Sequence, residues 1–453
     1  MSSLSKINID RRIFFGSTTT LLAATATSIA FENKALVNAP EVTVPRATAG
    51  DLAVEPDWKE KLTLDVGISK GDILGNDDKA IQAAIDYVSR LGGGTVRLSA
   101  GTFNLRNAIH LNSNIKLLGS GADTILLKSP MVKSKLLLDS DWYDQEITLQ
   151  DGSGFKVGDG ICLRCKNPHN GSPTVIKRTV IAKSGNRFKL DKGLRDNLWL
   201  LSDSYAANLF PLITGEFIQN IAIENLCIDG NRENNENLDG NYAGCIFLQD
   251  CSKVNIFKVV ARNNNGDGIS WQICHDVRVE DCFSHHHAGL GLHPGSGSQR
   301  PIIKSNLVKN NDIGIFFCWG VKYGLAENNV CEQNRIGISI GHRDTDNLIT
   351  SNQIKQSGRS GLLFRAERGK AFAGHNNTIE KNTIENSGGS DAVAIDVEGE
   401  TQGLVFNQNR VLEKREPAKR VGFRFGPKTG NMILNSNTIE GFATSILDQR
   451  KKD

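Results

Sequence analysis

From residue 245 onward the chain repeats short runs in which apolar and polar positions alternate, separated by Asn, Gly, Asp and Ser. The runs read "CIFLQDC", "GISWQIC", "GLHPGSG", "GIFFCWG", "GISIGHR" and "GLLFRAE", followed by "AVAIDVE" and "GFRFGPK". The first six start at 245, 268, 291, 314, 337 and 361, spaced by 23, 23, 23, 23 and 24 residues. Alternation of period two specifies strands, and a strict period of this length specifies one supersecondary unit stacked many times. A second register agrees with the first: asparagines recur at Asn306, Asn329, Asn352, Asn382, Asn409 and Asn437. Stacked amides hydrogen-bond along a column and satisfy polar groups inside a turn. No repeat carries the i, i+3, i+4, i+7 stripe of a helix, and the L-x-x-L-x-L frame of leucine-rich repeats is absent. The pattern predicts an all-β chain folded as a single-stranded right-handed parallel β-helix, with coils about 4.8 Å apart.

The front of the chain predicts the cap that an open solenoid end requires. In "GNDDKAIQAAIDYVSRLGGG", Asp77 or Asp78 is the N-cap of a helix whose apolar face is Ala80, Ile81, Ala84, Ile85 and Val88, ended by Gly92 to Gly94. Residues 136–215 break the period. "DGSGFKVGDGICLRC" and "TVIKRTVIAKSGNRFKLDKGL" read as antiparallel strands around an "SGNR" turn. The resulting division is an export signal at 1–30, a linker at 31–64, the capping helix and first coils at 65–135, a β-rich insertion at 136–215, the main array at 216–447 and a charged tail at 448–453.

The signal rests on Arg11 and Arg12 before an Ala- and Thr-rich stretch and a small-x-small site at Ser28-Ile29-Ala30, the form of a twin-arginine leader. It predicts an exported protein, periplasmic or extracellular. No segment has the roughly 20 apolar residues of a membrane span. A formal charge of +3 with 23% charged residues gives no reason to expect a nucleic-acid partner. Nine cysteines without two C-x-x-C pairs exclude a zinc ribbon and are expected as buried thiols.

If Ile269, Leu292, Ile315, Ile338 and Leu362 point into the core, the third and fifth residues of each strand point out. The outward column is then Ser270 and Gln272, His293, Phe316, Ser339, Arg365, Asp396 and Arg424, with His342, Arg343, Glu367, Arg368 and Glu398 in the following turns. His285, His286 and His287 are expected as solvated turn residues lining a groove. No metal site and no cofactor is expected, since neighbouring histidines diverge and no standard zinc spacing is present. Calcium fails the frame of "CIDGNRENNENLDGNYAG", which has Asn234 and Gly240 where an EF-hand needs Gly and Glu.

Asp267 precedes its strand one coil before His293, close enough either to fix the imidazole tautomer or to bond local backbone. Arg343, Glu367 and Glu398 are expected level on successive coils, as are Arg365 and Asp396. They form either a structural ion-pair ladder or a sugar groove, with Arg holding a uronate and Glu or Asp acting as acid, base or nucleophile. The candidate catalytic residues are thus Asp267, His293, Arg365, Glu367 and Asp396. The candidate substrate contacts are Gln272, Trp319, His342, Arg343 and Glu398.

The capping helix, first coils and main array together resemble the pectate-lyase-like superfamily of β-helix proteins, over residues 65–135 and 216–447. "NGDGIS" resembles the first aspartate motif of polygalacturonase-type hydrolases, with Asp267 in the aspartate position. The next coil has Gly289-Leu290 where that family pairs a second aspartate, and its later motifs fall on Asp312 and Ser339-Ile340-Gly341, so its mechanism does not carry over. "LGLHPGS" resembles the aspartate-proline-histidine-glutamate strand of mannuronan epimerases, matching at Pro294 alone. The resemblance implies a polysaccharide substrate lying along the outer groove, cleaved by hydrolysis or β-elimination, or epimerised. A lyase would use His293 as base with Arg365 or Arg343 on a uronate carboxylate; a hydrolase would use Glu367 with Asp396 or Glu398. Cleavage of glycosidic bonds is the expected role. Epimerisation and a non-catalytic glycan-binding or envelope scaffold, with Phe316 and Trp319 stacking on sugars, are the alternatives.

Overall fold

Among the described residues there are three long parallel sheets of 13, 11 and 11 strands, and a typical coil contributes one strand to each. One coil consists of His275–Glu280, Phe283–His285 and Leu290–Gly295. The computed structural model describes residues 58–167 and 170–450. The chain divides into two units, Met1–Lys59 and Glu60–Asp453, and the described strands lie in the second. The export-signal reading of residues 1–30 lies outside the described residues. Among the described residues no helix is long and apolar enough to cross a membrane.

The interior is built by register. Ile269, Leu292, Ile315, Ile338, Leu362, Ile395 and Phe423 stack coil upon coil, and none is exposed. Each such side chain contributes on the order of 1.5–3 kcal/mol by leaving water. The bends are tight because the residue before each ladder asparagine is left-handed, as at Ser305 (φ 55°), Asn328 (φ 57°) and Ser351 (φ 57°). The asparagine that follows offsets this cost. From Asn306 to Asn437 each Nδ2 donates to the next Oδ1 at 2.9 or 3.0 Å, and each Oδ1 after the first also accepts a backbone N–H. All nine cysteines are buried free thiols.

At the N-terminal end the helix Asp78–Arg90 is capped by Asp77, whose Oδ1 accepts from the N–H groups of Lys79 and Ala80. Its buried face, Ala80, Ile81, Ala84, Ile85 and Val88, joins the main core. The insertion is a six-stranded antiparallel sheet with its own core around Leu163, Phe188 and Leu190. The "SGNR" turn joins Pro173–Ser184 to Arg187–Leu190, with Gly185 at φ 55°.

Candidate active site

The outward face of the sheet that contains Leu290–Gly295 carries a groove of about 390 Å³. Its floor is an apolar patch outside the main core, made of Ile313, Phe316, Cys318, Ile336 and Leu363. Asp312, Arg335 and Arg359, each two residues before a strand glycine, form one wall; Trp319, Arg365 and Glu367 form the other. Asp267 and His293 lie at one end beneath Asp239, Gly240 and Asn241, and Asp396 and Glu398 lie at the opposite end.

Asp267 and His293 meet, with His293 Nδ1 at 2.8 Å from Asp267 Oδ2. The other carboxylate oxygen accepts the Leu290 N–H of the next coil at 2.9 Å. Ser270 Oγ lies 3.2 Å from the same Nδ1 and spends its proton on Gly240 O at 2.8 Å. With Asp267 a carboxylate, both neighbours of Nδ1 are acceptors, so the proton belongs on Nδ1 and Nε2 is left as the basic nitrogen. Nε2 is buried and has no partner among the described residues. The ring stacks against Phe316 at 5.8 Å. Glycines make room for this pair: a Cβ at Gly240 would stand 1.7 Å from Asp267 Oδ2, and one at Gly289 would stand 2.4 Å from Oδ1.

The remaining acids are held by arginines. Arg424 grips both oxygens of Asp396 at 2.8 and 2.6 Å and reaches Glu398 at 2.5 Å. Glu367 is paired with Arg365 at 2.7 Å and Arg368 at 3.2 Å. Burial acts to raise the Glu367 pKa, but a backbone hydrogen bond and the two arginines outweigh it and hold it below its ordinary value. Arg365 also lies over the Phe316 ring, 5.3 Å from its centroid. Arg335 pairs with Asp312. The exposed Arg359 guanidinium has no carboxylate partner among the described residues.

Several sequence expectations need correction. Leu363, not Arg365, follows Ser339 in the outward column, and Asp396 is level with Leu363. Arg365 is therefore level with Glu398, because the longer turn before Val393 shifts the frame by two residues. Gln272 does not line the groove; it is buried against Gly295, with Nε2 at 3.3 Å from Ser270 Oγ. His287 is not solvated but 2% exposed, its Nδ1 accepting from Asn264 N–H and its Nε2 bonded to Ala261 O. His285, the last residue of a strand in another sheet, and His286, in the bend after it, touch one another at 2.7 Å away from the groove.

Trp319, His342, Phe372 and Arg343 form a stack on the groove's shoulder, with Trp319 and His342 rings 4.0 Å apart and Arg343 4.2 Å over Phe372. Burial, then Arg368 and Arg343, lower the His342 pKa. Asp344 sets these turns by accepting the N–H groups of Gly320, Val321 and Gly341. Its own pKa is raised to about 6 by burial, against those hydrogen bonds. Sequence reasoning missed Asp239, Arg335, Arg359 and Asp344. The wall Asp312, Arg335, Arg359 repeats at 23 and 24 residues, so tracing the position two before each strand glycine exposes it.

The stacked parallel coils define the fold as a parallel β-helix, with this groove on its outer face. The family described as rhamnogalacturonase A/epimerase, pectate lyase-like, matches residues 63–240, and the family described as periplasmic copper-binding protein (NosD) matches residues 202–390. Residues 63–240 are thus similar to the pectate-lyase-like family, and the stacked coils have the right-handed parallel β-helix fold. No curated protein matches the sequence. Among solved structures, the A-module of the mannuronan C-5 epimerase AlgE6 of Azotobacter vinelandii is similar at 16% identity, covering 86% of this chain and 100% of that one (TM-score 0.49). PfbA, a surface adhesin of Streptococcus pneumoniae, is similar at 12%, covering 84% and 93% (TM-score 0.48). The tailspike protein gp49 of Pseudomonas phage LKA1 is similar at 11%, covering 82% and 75% (TM-score 0.40). The copper of the NosD description finds no ligand set here: among the described residues no three His, Cys, Asp or Glu side chains group as a metal site.

Proposed function

We propose that this is an exported enzyme acting on a uronate-containing polysaccharide, in which His293 removes the proton next to the uronate carboxylate and the glycosidic bond breaks by β-elimination. The observation that carries this reading is the Asp267–His293 pair with an unpartnered Nε2 at the end of the groove. Asp267 fixes the tautomer and stabilises the imidazolium that forms. Arg359, on the wall without a carboxylate partner among the described residues, is positioned to bind the substrate carboxylate, and Arg365 adds positive potential beside Phe316. Hydrolysis is less favoured because a general acid needs a raised pKa, whereas Glu367 is lowered and Asp396 is locked by Arg424.

The test is incubation of the mature chain, from about residue 31, with acidic and neutral polysaccharides, following ultraviolet absorbance and reducing ends together. Elimination raises both. Reducing ends alone would replace it with hydrolysis. Incorporation of solvent deuterium at the carbon bearing the carboxylate, with neither signal, would leave the base and make the protein an epimerase.

A further inference from the structure

The groove is closed at the histidine end. Ser270 and Phe247 continue the outward column one and two coils beyond His293, and such positions in a solenoid face solvent unless something covers them. Here the cover is shown by contact, Ser270 bonding to Gly240 and Phe247 lying under Lys177, because low exposure is shared by the whole column, Ser339 inside the groove being 0% exposed as well. The cover is the segment 238–243. Gly240 O accepts from Ser270 Oγ, and Tyr242 O accepts from Lys177 Nζ at 2.6 Å while that amine sits 4.3 Å over the Phe247 ring. Leu238 N–H bonds Asn265 O at 3.0 Å, and Leu238 and Ala243 pack with Cys162, Ala207 and Leu209 at the edge of the insertion. The segment is thus fastened to both the coils and the insertion, as a wall rather than a lid. Beyond it lies a separate cavity of about 640 Å³ lined by His110, Lys177, Arg178 and Phe247, which a chain in the first groove cannot enter along the sheet. On the other side the groove continues from His293 through Phe316, Ser339 and Leu363 to Asp396, four strand spacings or about 19 Å.

We infer that the enzyme acts from the end of its polysaccharide: the terminal sugar abuts the 238–243 wall over His293, and the rest of the chain runs toward Asp396. This rests on the proposed function, which it refines by naming the terminus as the recognised part. A groove open at both ends would accept internal stretches, so longer chains would hold more protein.

The measurement is calorimetric stoichiometry of the full chain carrying His293→Ala, which halts turnover, with oligogalacturonates and oligomannuronates of increasing length. One protein per chain at every length is expected. A number of bound proteins that grows with length would overturn end recognition and leave the polysaccharide function standing. Absence of binding to either series would overturn the uronate reading and end recognition with it. Size-exclusion profiles of polygalacturonate and polymannuronate early in turnover by the native protein give a second readout. The polymer peak should stay in place while the smallest products accumulate, and in a variant with residues 238–242 replaced by two glycines it should slide to intermediate sizes. Intermediate sizes from the native protein would refute the inference even if that variant fails to fold.

Discussion

Replacing Asp267 by Asn changes little in shape but changes which nitrogen of His293 carries the proton. The amide has two orientations. In one, its oxygen keeps the Leu290 N–H, now bonded at 2.9 Å, and its NH₂ faces His293 Nδ1. In the other, the NH₂ faces the Leu290 N–H and two buried donors oppose each other, at a cost of about 1–3 kcal/mol. That difference favours the first orientation by roughly 5- to 150-fold. Nδ1 must then accept, the proton moves to Nε2, and the nitrogen proposed as base is blocked. We expect kcat/KM to fall on the order of 10³–10⁴-fold, as for a catalytic histidine forced into the wrong tautomer. The assay is the initial rate of ultraviolet absorbance on whichever polyuronate the native protein cleaves. It is paired with nitrogen-15 histidine spectra in which His293 is assigned by its loss in His293→Gln. A rate within about tenfold of native, or an unchanged His293 tautomer in a slow variant, would refute the reasoning.

Asn329→Ala removes two donations, to Ile303 O and Asn352 Oδ1, and two acceptances from Asn306, all at 2.9–3.0 Å in a fully buried side chain. At about 1 kcal/mol each it should cost about 4 kcal/mol by urea denaturation; the partly buried end rung Asn437→Ala should cost less, and equal losses would discount the ladder. His287 is held neutral, its pKa lowered to about 3 chiefly by burial and then by His285. The unfolded chain takes up that proton near 6.5. Stability should therefore be full above about pH 6.5 and fall by about 3 kcal/mol by about pH 4, with His287→Gln flattening the fall in denaturation curves. Arg359→Ala should raise KM for a uronate polymer about tenfold, the worth of one charged hydrogen bond, with melting temperature unchanged; an unchanged KM would remove it from the site.

The stacking and the ladder were legible because each is written once per coil: a core aliphatic after each glycine, an asparagine at each bend. What failed did so where the frame moved or the chemistry of a rung changed. The extra residues between Asn386 and Val393 displaced Asp396 into the column of Leu363, which no constant spacing reveals. His287 looked like one of three solvated histidines, yet it is a rung of a second ladder with Asn264, Asn311 and Asn334, in which an imidazole replaces an amide. Asp267 and His293 were legible as neighbours because they lie on adjacent coils. The wall over them was not, since 238–243 has no repeat and is placed by Lys177 and Cys162 from a distant part of the sequence.

The coil architecture makes the reach of the groove an integer. The rungs at Asn306, Asn329 and Asn352 present the same donors and acceptors upward and downward, so a coil could be excised or duplicated there with its cut surfaces still matching. The wall and Asp267–His293 would stay fixed, while Arg359, Arg365 and the acids beyond would move outward or inward by one step of about 4.8 Å. Lineages with this plan can thus retune the length of chain they grasp by counting coils, as marks on a ruler, without redesigning the end at which chemistry occurs.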